Sequence, residues 1–349
     1  VQSQGIGTSL KHFAANNQEK ARLVSNSVVD ERALREIYLA PFEKAVKQAQ
    51  PWTVMCSYNR INGVYSCENE WLLTEVLRNE WGFQGLVMTD WGAMNDRAKA
   101  LKAGLELEMP GPDPYNDKKI VDAVRNGELD EAVLDRAAER LLTVIMRAGE
   151  VHKKEYDAAA HHILARRIAA ESAVLLKNDG MLPLKKENSY AVIGAFAETP
   201  RYQGAGSSRI HPHQIDCVLD SLRESGIAFE YAPGYELEQD TINPVLLEEA
   251  AACAKGRDGV LVFAGLPDSY ESEGFDRTHL NLPKSHTALI EAVTAVNPHV
   301  TVVLLCGSAI LMPWRDRVES ILLTYLGGEA VGSACADVLF CGCFTICLE

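Results

Sequence analysis

The strongest constraint on this chain is a rhythm in its first half. Short apolar runs each stop at a polar residue, and stretches of helical periodicity separate them. Residues 7–13 read as a strand closing on Lys11 and His12, residues 52–59 as one closing on Tyr58, and the run 85–88 turns abruptly into Thr89-Asp90-Trp91-Gly92. Residues 104–111 read as a fourth strand. The intervening segments predict a helix with Arg22 near its start, a helix over 30–49 capped by Asp30 with Leu34, Ile37, Tyr38, Phe42 and Val46 on one side, and a helix over 69–80. Asn62-Gly63 marks a turn. Strand alternating with helix is the pattern of βα units, whose parallel sheets carry their sites at the carboxyl ends of the strands. Singly, each polar strand end has an ordinary reading: Asp90 as a helix cap, Lys11 as a solvated charge, His12 as a satisfied core histidine, Tyr58 as an anchored aromatic. Together in register on one face of a sheet, they are candidates for a site.

Four strands do not close an eight-stranded barrel, and open edges are a liability. The chain is therefore expected to start late, with further barrel residues before Val1. Residues 118–147 predict a helix pair broken at Asn126-Gly127, its second member presenting Val133, Leu134, Ala137, Leu141, Leu142 and Ile145.

The second half has a different texture. Strands are expected at 190–194, 259–264, 301–305 and 320–325, with helices near 215–224, 244–256, 284–296 and 329–339, a doubly wound α/β layer. A helix over 163–176 is expected to stop at Lys177-Asn178-Asp179-Gly180. Gly204-Ala205-Gly206-Ser207-Ser208 has neither the P-loop nor the dinucleotide fingerprint and reads as a loop approaching a ligand closely. Glu271-Ser272-Glu273-Gly274-Phe275-Asp276-Arg277 reads by charge as a solvated loop, and by its glycine and flanking charges also as the seat of a placed acid.

At 349 residues the chain suits two domains: a partial barrel over 1–150, a linker over 151–170 and an α/β sandwich over 171–349. A net charge of -14 argues against nucleic acid and anionic membranes as partners, and no apolar run is long enough to span a bilayer. The nine cysteines form no disulfide scaffold, and their odd number favours a reducing, cytoplasmic setting. Cys56 and Cys67 could pair were the protein exported. Adjacent His161 and His162 point to different helix faces, His211 and His213 read as loop surface, and Cys341-Gly342-Cys343 lacks partners at ligand spacing, so no metal site is expected. A homo-oligomer remains open.

Several motifs, in order, resemble glycoside hydrolase family 3 and most of all its β-glucosidases. They are Lys11-His12-Phe13-Ala14-Ala15-Asn16-Asn17-Gln18-Glu19, Val54-Met55-Cys56-Ser57-Tyr58-Asn59, Val87-Met88-Thr89-Asp90-Trp91-Gly92 and Ser272-Glu273-Gly274-Phe275-Asp276-Arg277. Lys177-Asn178 with Leu182-Pro183-Leu184, and Gly327-Gly328-Glu329-Ala330, extend the match over residues 5–340. The resemblance implies a (β/α)8-type barrel followed by an α/β sandwich, with the site between them, and a retaining β-glycosidase without metal or cofactor. Asp90 matches the nucleophile and Glu273, from the second domain, the acid/base. Lys11, His12, Arg22, Met55 and Tyr58 match residues that hold the sugar or orient the nucleophile, Trp91 an aromatic platform and Ser207 a second-domain contact. Retaining hydrolysis needs the two carboxyl groups about 5–5.5 Å apart.

Two departures from the pattern stand out. The family's barrel normally extends further before the Lys-His motif, with an Asp and an Arg that grip the sugar, and residues 340–345 abandon the pattern. The chain is accordingly expected to be a fragment whose productive binding needs residues outside it. Asn16-Asn17-Gln18-Glu19 and Glu273 argue against the N-acetylglucosaminidase branch, which resembles Lys-His-Phe-Pro-Gly-His-Gly and uses a histidine acid/base. The expected substrates are β-glucosides or short β-glucans; the competing readings are a β-xylosidase or arabinosidase, and a non-catalytic relative that binds sugar weakly.

Overall fold

A computed structural model describes residues 1–151, 155–341 and the backbone of 345–346. The chain forms two compact units, Val1–Glu155 and Tyr156–Glu349. The expected linker, 151–170, contains most of a helix, Ala158–Ser172, that counts with the second unit. Among the described residues no helix is long and apolar enough to cross a membrane.

The main sheet of the first unit has three parallel strands in sequence order, β1 (Ser9–Phe13), β2 (Thr53–Cys56) and β3 (Leu86–Met88), and a small second sheet joins Asn26–Ser27, Arg60–Ile61 and Val64–Tyr65. Val54 pairs with Leu10 on one side and Val87 on the other, so the polar residues after each strand emerge at the same end of the sheet. Helices cover the sheet: Val46, Leu72, Val76 and Leu77 are fully buried with Val54 and Val87, and Phe13 packs against Phe42 and Trp81 at ring distances of 5.1 and 5.9 Å.

Four local expectations are corrected. No helix follows β1: residues 14–25 are irregular, with Arg22 in a turn whose amide reaches the Glu19 carbonyl. The cause lies far along the chain, because the Asn59 side-chain amide takes the carbonyls of Ala14 and Ala15 that a helix would use internally. The helix over 31–49 does begin at Asp30, whose carboxylate accepts the Ala33 N–H at 3.0 Å. Its turns widen to π spacing over Leu34–Leu39, however, so Leu39 is buried while Ile37 is 64% exposed. Residues 104–111 make only one bridge, Leu107 to Met88, since the Thr89 hydroxyl takes the Met109 amide that would continue the ladder and Pro110 has no amide to offer. The pair Pro114–Arg125 and Glu131–Gly149 buries Ala137, but Leu142 and Ile145 are each 56% exposed.

The second unit is a seven-stranded sheet. Its strands are β4 (Val174–Asn178), β5 (Tyr190–Ile193), β6 (Phe229–Ala232), β7 (Gly259–Gly265), β8 (Val300–Leu305), β9 (Ser320–Leu323) and β10 (Thr345–Ile346), in the order β10-β4-β9-β8-β7-β5-β6. All pairings are parallel except β9 with β4. β7 and β8 are buried along their whole length, as the unbroken apolar runs demand of a sheet covered on both faces. The expected helix over 163–176 ends early. Ala173 is extended and Val174-Leu175-Leu176 belong to β4; the Asn178 side-chain Oδ1 then accepts the amides of Gly180 and Leu182, which makes the following residues a turn after a strand rather than a helix stop. β6 had no expectation at all, being a short outer strand with an ordinary mixed sequence.

One buried group sets an acid limit on this sheet. His286 lies under the end of β7, its Nδ1 accepting the Gly265 N–H at 3.2 Å and its ring 3.8 Å from that of Tyr235. Burial lowers its pKa to about 3, against a smaller upward pull from Asp240. Its folded value is depressed, so between about pH 6.5 and 3 the unfolded chain binds a proton that the folded chain refuses. Stability is therefore lost as pH falls through that window, by about 2 kcal/mol between pH 7 and 5 from this group alone. Urea unfolding at both pH values checks this: His286→Gln should remove about that much of the acid sensitivity, and an unchanged difference between the two pH values would refute it.

Candidate functional site

Asp90 leaves the sheet two residues beyond the last residue of β3 and is held through its amide, its carbonyl and its carboxylate. Its amide donates to the Cys56 carbonyl at 3.2 Å, which links the ends of β2 and β3, and its carbonyl accepts the Ala93 amide. The next turn is held by Met109: the Gly92 amide donates to the Met109 carbonyl at 2.8 Å, and the buried Thr89 hydroxyl exchanges hydrogen bonds with the Met109 backbone. The carboxylate, 14% exposed, has both oxygens engaged. Oδ1 accepts the Trp91 N–H at 2.6 Å, and Oδ2 lies 3.1 Å from His12 Nε2 on β1.

The His12 pKa is lowered, first by burial, with Lys11 and Arg22 adding to the effect and Asp90 opposing it. A neutral imidazole carries one ring proton, and the carboxylate contact assigns it to Nε2. Tyr58 is buried; its hydroxyl donates to the Trp91 carbonyl at 3.1 Å, and the Arg22 guanidinium stands 4.6 Å over its ring while bonded to Glu19 at 2.9 Å. Trp91 itself is 62% exposed, a flat apolar face beside the carboxylate. Met55 is half-buried on β2 in register with Met88, and Lys11 is exposed. His12, Arg22, Tyr58, Asp90 and Trp91 thus form one connected group, although they come from four separate places in the first 91 residues.

Two sets of residues were missed. Ser57, Asn59 and Ser66 are fully buried and bond one another and the Ala14 carbonyl, locking the segment after β1 to that after β2. Polar residues immediately past a buried strand were a usable signal. Glu106 lies beneath β3 and accepts from Arg78, Arg140 and the Val87 amide; nothing local in the sequence marks it.

In the second unit the loop after β7 carries Glu273. Arg201 pins it by donating to the carbonyls of Leu266 and Glu271, the Glu271 carboxylate accepts the Gly307 amide, and Arg277 donates to Ser308 and the Ala309 carbonyl. Glu273 Oε2 accepts the Ser207 N–H at 2.7 Å and also the Ser207 hydroxyl.

The remaining candidates part company with these. His161 meets the Tyr156 ring edge-on, whereas His162 sits between Asp216 and Glu329 with a different carboxylate at each ring nitrogen, so the three cannot share an ion. Among the described residues no three His, Cys, Asp or Glu are grouped as metal ligands. His211 and His213 are exposed. Cys56 and Cys67 are buried free thiols in hydrogen-bond contact, and burial pushes the Cys56 thiol well up. Cys341 is exposed, while Cys343 falls outside the described residues.

Comparison with known proteins bears on both units. Residues 1–144 match the family model "Glycosyl hydrolase family 3 N terminal domain" and residues 173–343 match "Glycosyl hydrolase family 3 C-terminal domain". The chain is 56% identical over 346 residues to thermostable beta-glucosidase B of Acetivibrio thermocellus, covering 97% of this chain and 46% of that protein. It is 50% identical over 354 residues to the exo-alpha-(1->6)-L-arabinopyranosidase of Bifidobacterium longum, again covering 97% and 46%. Among solved structures, a beta-glucosidase of Bifidobacterium adolescentis aligns with a TM-score of 0.93 at 49% identity, over 98% of this chain and 51% of that one. Beta-glucosidase 3B of Thermotoga neapolitana, in complex with alpha-D-glucose, aligns at 0.88 and 34% identity, over 98% and 53%. The chain spans about half the length of these relatives.

Proposed function

Because the chain belongs to glycosyl hydrolase family 3, we propose that it carries the chemistry of a retaining β-glycosidase acting on terminal β-linked glucose. The observation that carries this reading is the Asp90 carboxylate, held between His12 Nε2 and the Trp91 amide at the end of β3. In the first step Asp90 bonds to the anomeric carbon as the glycosidic bond breaks, and Glu273 gives its proton to the departing oxygen. In the second, Glu273 takes a proton from water, the water oxygen bonds to the anomeric carbon, and Asp90 leaves. His12 orients the nucleophile with its single ring proton. Tyr58 acts on the same loop by anchoring the Trp91 carbonyl, and the exposed indole offers a face on which a pyranose ring can stack. Lys11, Arg22 and Met55 complete the binding set for sugar hydroxyls on the first unit, with Ser207 on the second.

The relatives described as beta-glucosidases support glucose, in β-glucosides or short β-glucans. A second reading, a pentopyranosidase, draws support from the 50% identity to an arabinopyranosidase. The test is the intact mass of this chain, and of the full-length protein, after incubation with a slowly released 2-fluoro aryl β-glucoside and with its arabinopyranoside counterpart. One covalent glycosyl adduct mapping to Asp90 is expected, and the sugar that labels faster identifies the substrate class. No adduct on either protein would overturn the proposal in favour of a sugar-binding or purely structural relative.

A further inference from the structure

We infer that Thr89 is a positioning residue for Asp90: its hydroxyl ties the root of the turn that presents the carboxylate to Met109, the same residue that holds the far end of that turn. The inference rests on Asp90 being the nucleophile, as proposed above. Thr89 is fully buried, so its hydroxyl finds its partners inside the protein. Oγ1 accepts the Met109 N–H at 2.7 Å and donates to the Met109 carbonyl at 3.2 Å. That carbonyl also accepts the Gly92 N–H at 2.8 Å. Thr89 and Gly92 are thereby fastened to one residue, and Asp90 and Trp91 span the interval between them.

The backbone pattern shows why a side chain is needed there. The Leu107 amide donates to the Val87 carbonyl at 3.1 Å and the Thr89 amide to the Leu107 carbonyl at 3.0 Å. The same alternation, continued, would send the Met109 amide to the Thr89 carbonyl. It goes to Thr89 Oγ1 instead, and Pro110 has no amide with which pairing could resume. The hydroxyl thus ends the pairing on that flank at the residue before Asp90. On the other flank the Asp90 amide still reaches the Cys56 carbonyl at 3.2 Å. Held on one side and released on the other, the chain turns at Asp90. The two contacts that aim its carboxylate, the Trp91 N–H at 2.6 Å and His12 Nε2 at 3.1 Å, are made from within that turn.

Thr89→Val keeps the branched shape and removes the hydroxyl, so the Met109 amide loses the acceptor it uses. A small misplacement of a reacting group is costly, and kcat on an aryl β-glucoside is expected to fall roughly 10- to 100-fold. KM should change by less than about threefold, because the sugar-facing side chains stay in place. Thr89→Ser keeps the hydroxyl and should restore kcat to within about threefold of the wild type. Should the valine variant not fold, Thr89→Cys puts a weak sulfur donor and acceptor at the same position and is expected to change kcat in the same direction. A second readout needs no turnover. The Asp90 contact assigns the His12 ring proton to Nε2, so the imidazole 15N signals report where the carboxylate lies. With those signals assigned by their loss in His12→Gln, Thr89→Val is expected to shift the tautomer balance towards Nδ1, and Thr89→Ser to leave it unchanged. A threonine that only stabilises the fold would lower the melting temperature and leave kcat and the tautomer where they are. That result, or equal changes in Thr89→Ser, would overturn the inference. Absence of a glycosyl adduct on the wild type would count against the hydrolase reading alone, and the tautomer would still decide whether Thr89 places the carboxylate.

Discussion

On the proposed mechanism, Asp90→Asn is expected to abolish the covalent glycosyl adduct and to lower turnover by roughly 10⁴-fold or more, the scale seen when a nucleophile is removed from a working site. The substitution is a sharp one because it changes little else. Asparagine is the same size, and its carbonyl oxygen can still accept the Trp91 amide now bonded to Oδ1 at 2.6 Å. The new amide nitrogen then faces His12 Nε2, where Oδ2 stood at 3.1 Å, and His12 must move its ring proton to Nδ1 to accept from it. A neutral imidazole can do this without taking on charge. Sugar affinity should therefore change by less than about threefold while chemistry disappears, a pattern characteristic of a lost transition-state interaction. Measured kcat, intact mass after trapping and glucose affinity by calorimetry together decide the matter. A variant that keeps more than about a tenth of wild-type turnover would remove Asp90 from the role of nucleophile.

The second large effect is on stability. The Glu106 side chain is 1% exposed and accepts both oxygens' worth of hydrogen bonds from Arg78, one from Arg140 at 2.7 Å and one from the Val87 amide at 2.7 Å. Burial already lowers the Arg78 pKa to about 10, with Glu106 as the main opposing influence. Glu106→Ala would leave that guanidinium buried without its counter-ion, a change that costs about 3–5 kcal/mol in comparable pairs. Arg140 is partly exposed, so water can take over its half of the interaction and it adds little. Urea unfolding of the first unit at pH 7 should register the loss, and because Val87 lies in β3, hydrogen exchange at Val87 should quicken with it. A loss below about 1 kcal/mol would mean that the pair contributes no more than a surface ion pair.

What the amino-acid pattern revealed, and what it hid, divides along the distance between interacting residues. β7 and β8 were legible because a strand buried on both faces must be apolar throughout, and Asp90 was legible because a carboxylate ending such a run is conspicuous. β4 was misread because Val-Leu-Leu continues the apolar rhythm of the helix before it; its partners β9 and β10, both far downstream, make it a strand. Ile37 and Leu39 exchanged places because a π-spaced turn changes the period on which any amphipathic reading depends. The loop after β1 looked helical in isolation, and it was Asn59 that decided otherwise. Glu106 was indistinguishable from other acidic residues until Arg78 and Arg140, both remote in sequence, converged on it. Of the site, Ser57 stands immediately past a buried strand, a local signal that was there to be read.

That Asn59 anchor has a bearing on how this site can diversify. A β ladder commits every residue of a segment to a register, whereas one amide fastens a loop at its root, here at the Ala14 and Ala15 carbonyls, with the Arg60 amide catching the far end at Ser25. Residues 16–24 run between these two posts, with Arg22 over the Tyr58 ring and the Val24 carbonyl held by the Arg60 guanidinium on the way. Insertions or exchanges there can alter what borders Tyr58 without unpairing β1 from β2, because neither post belongs to the replaced stretch.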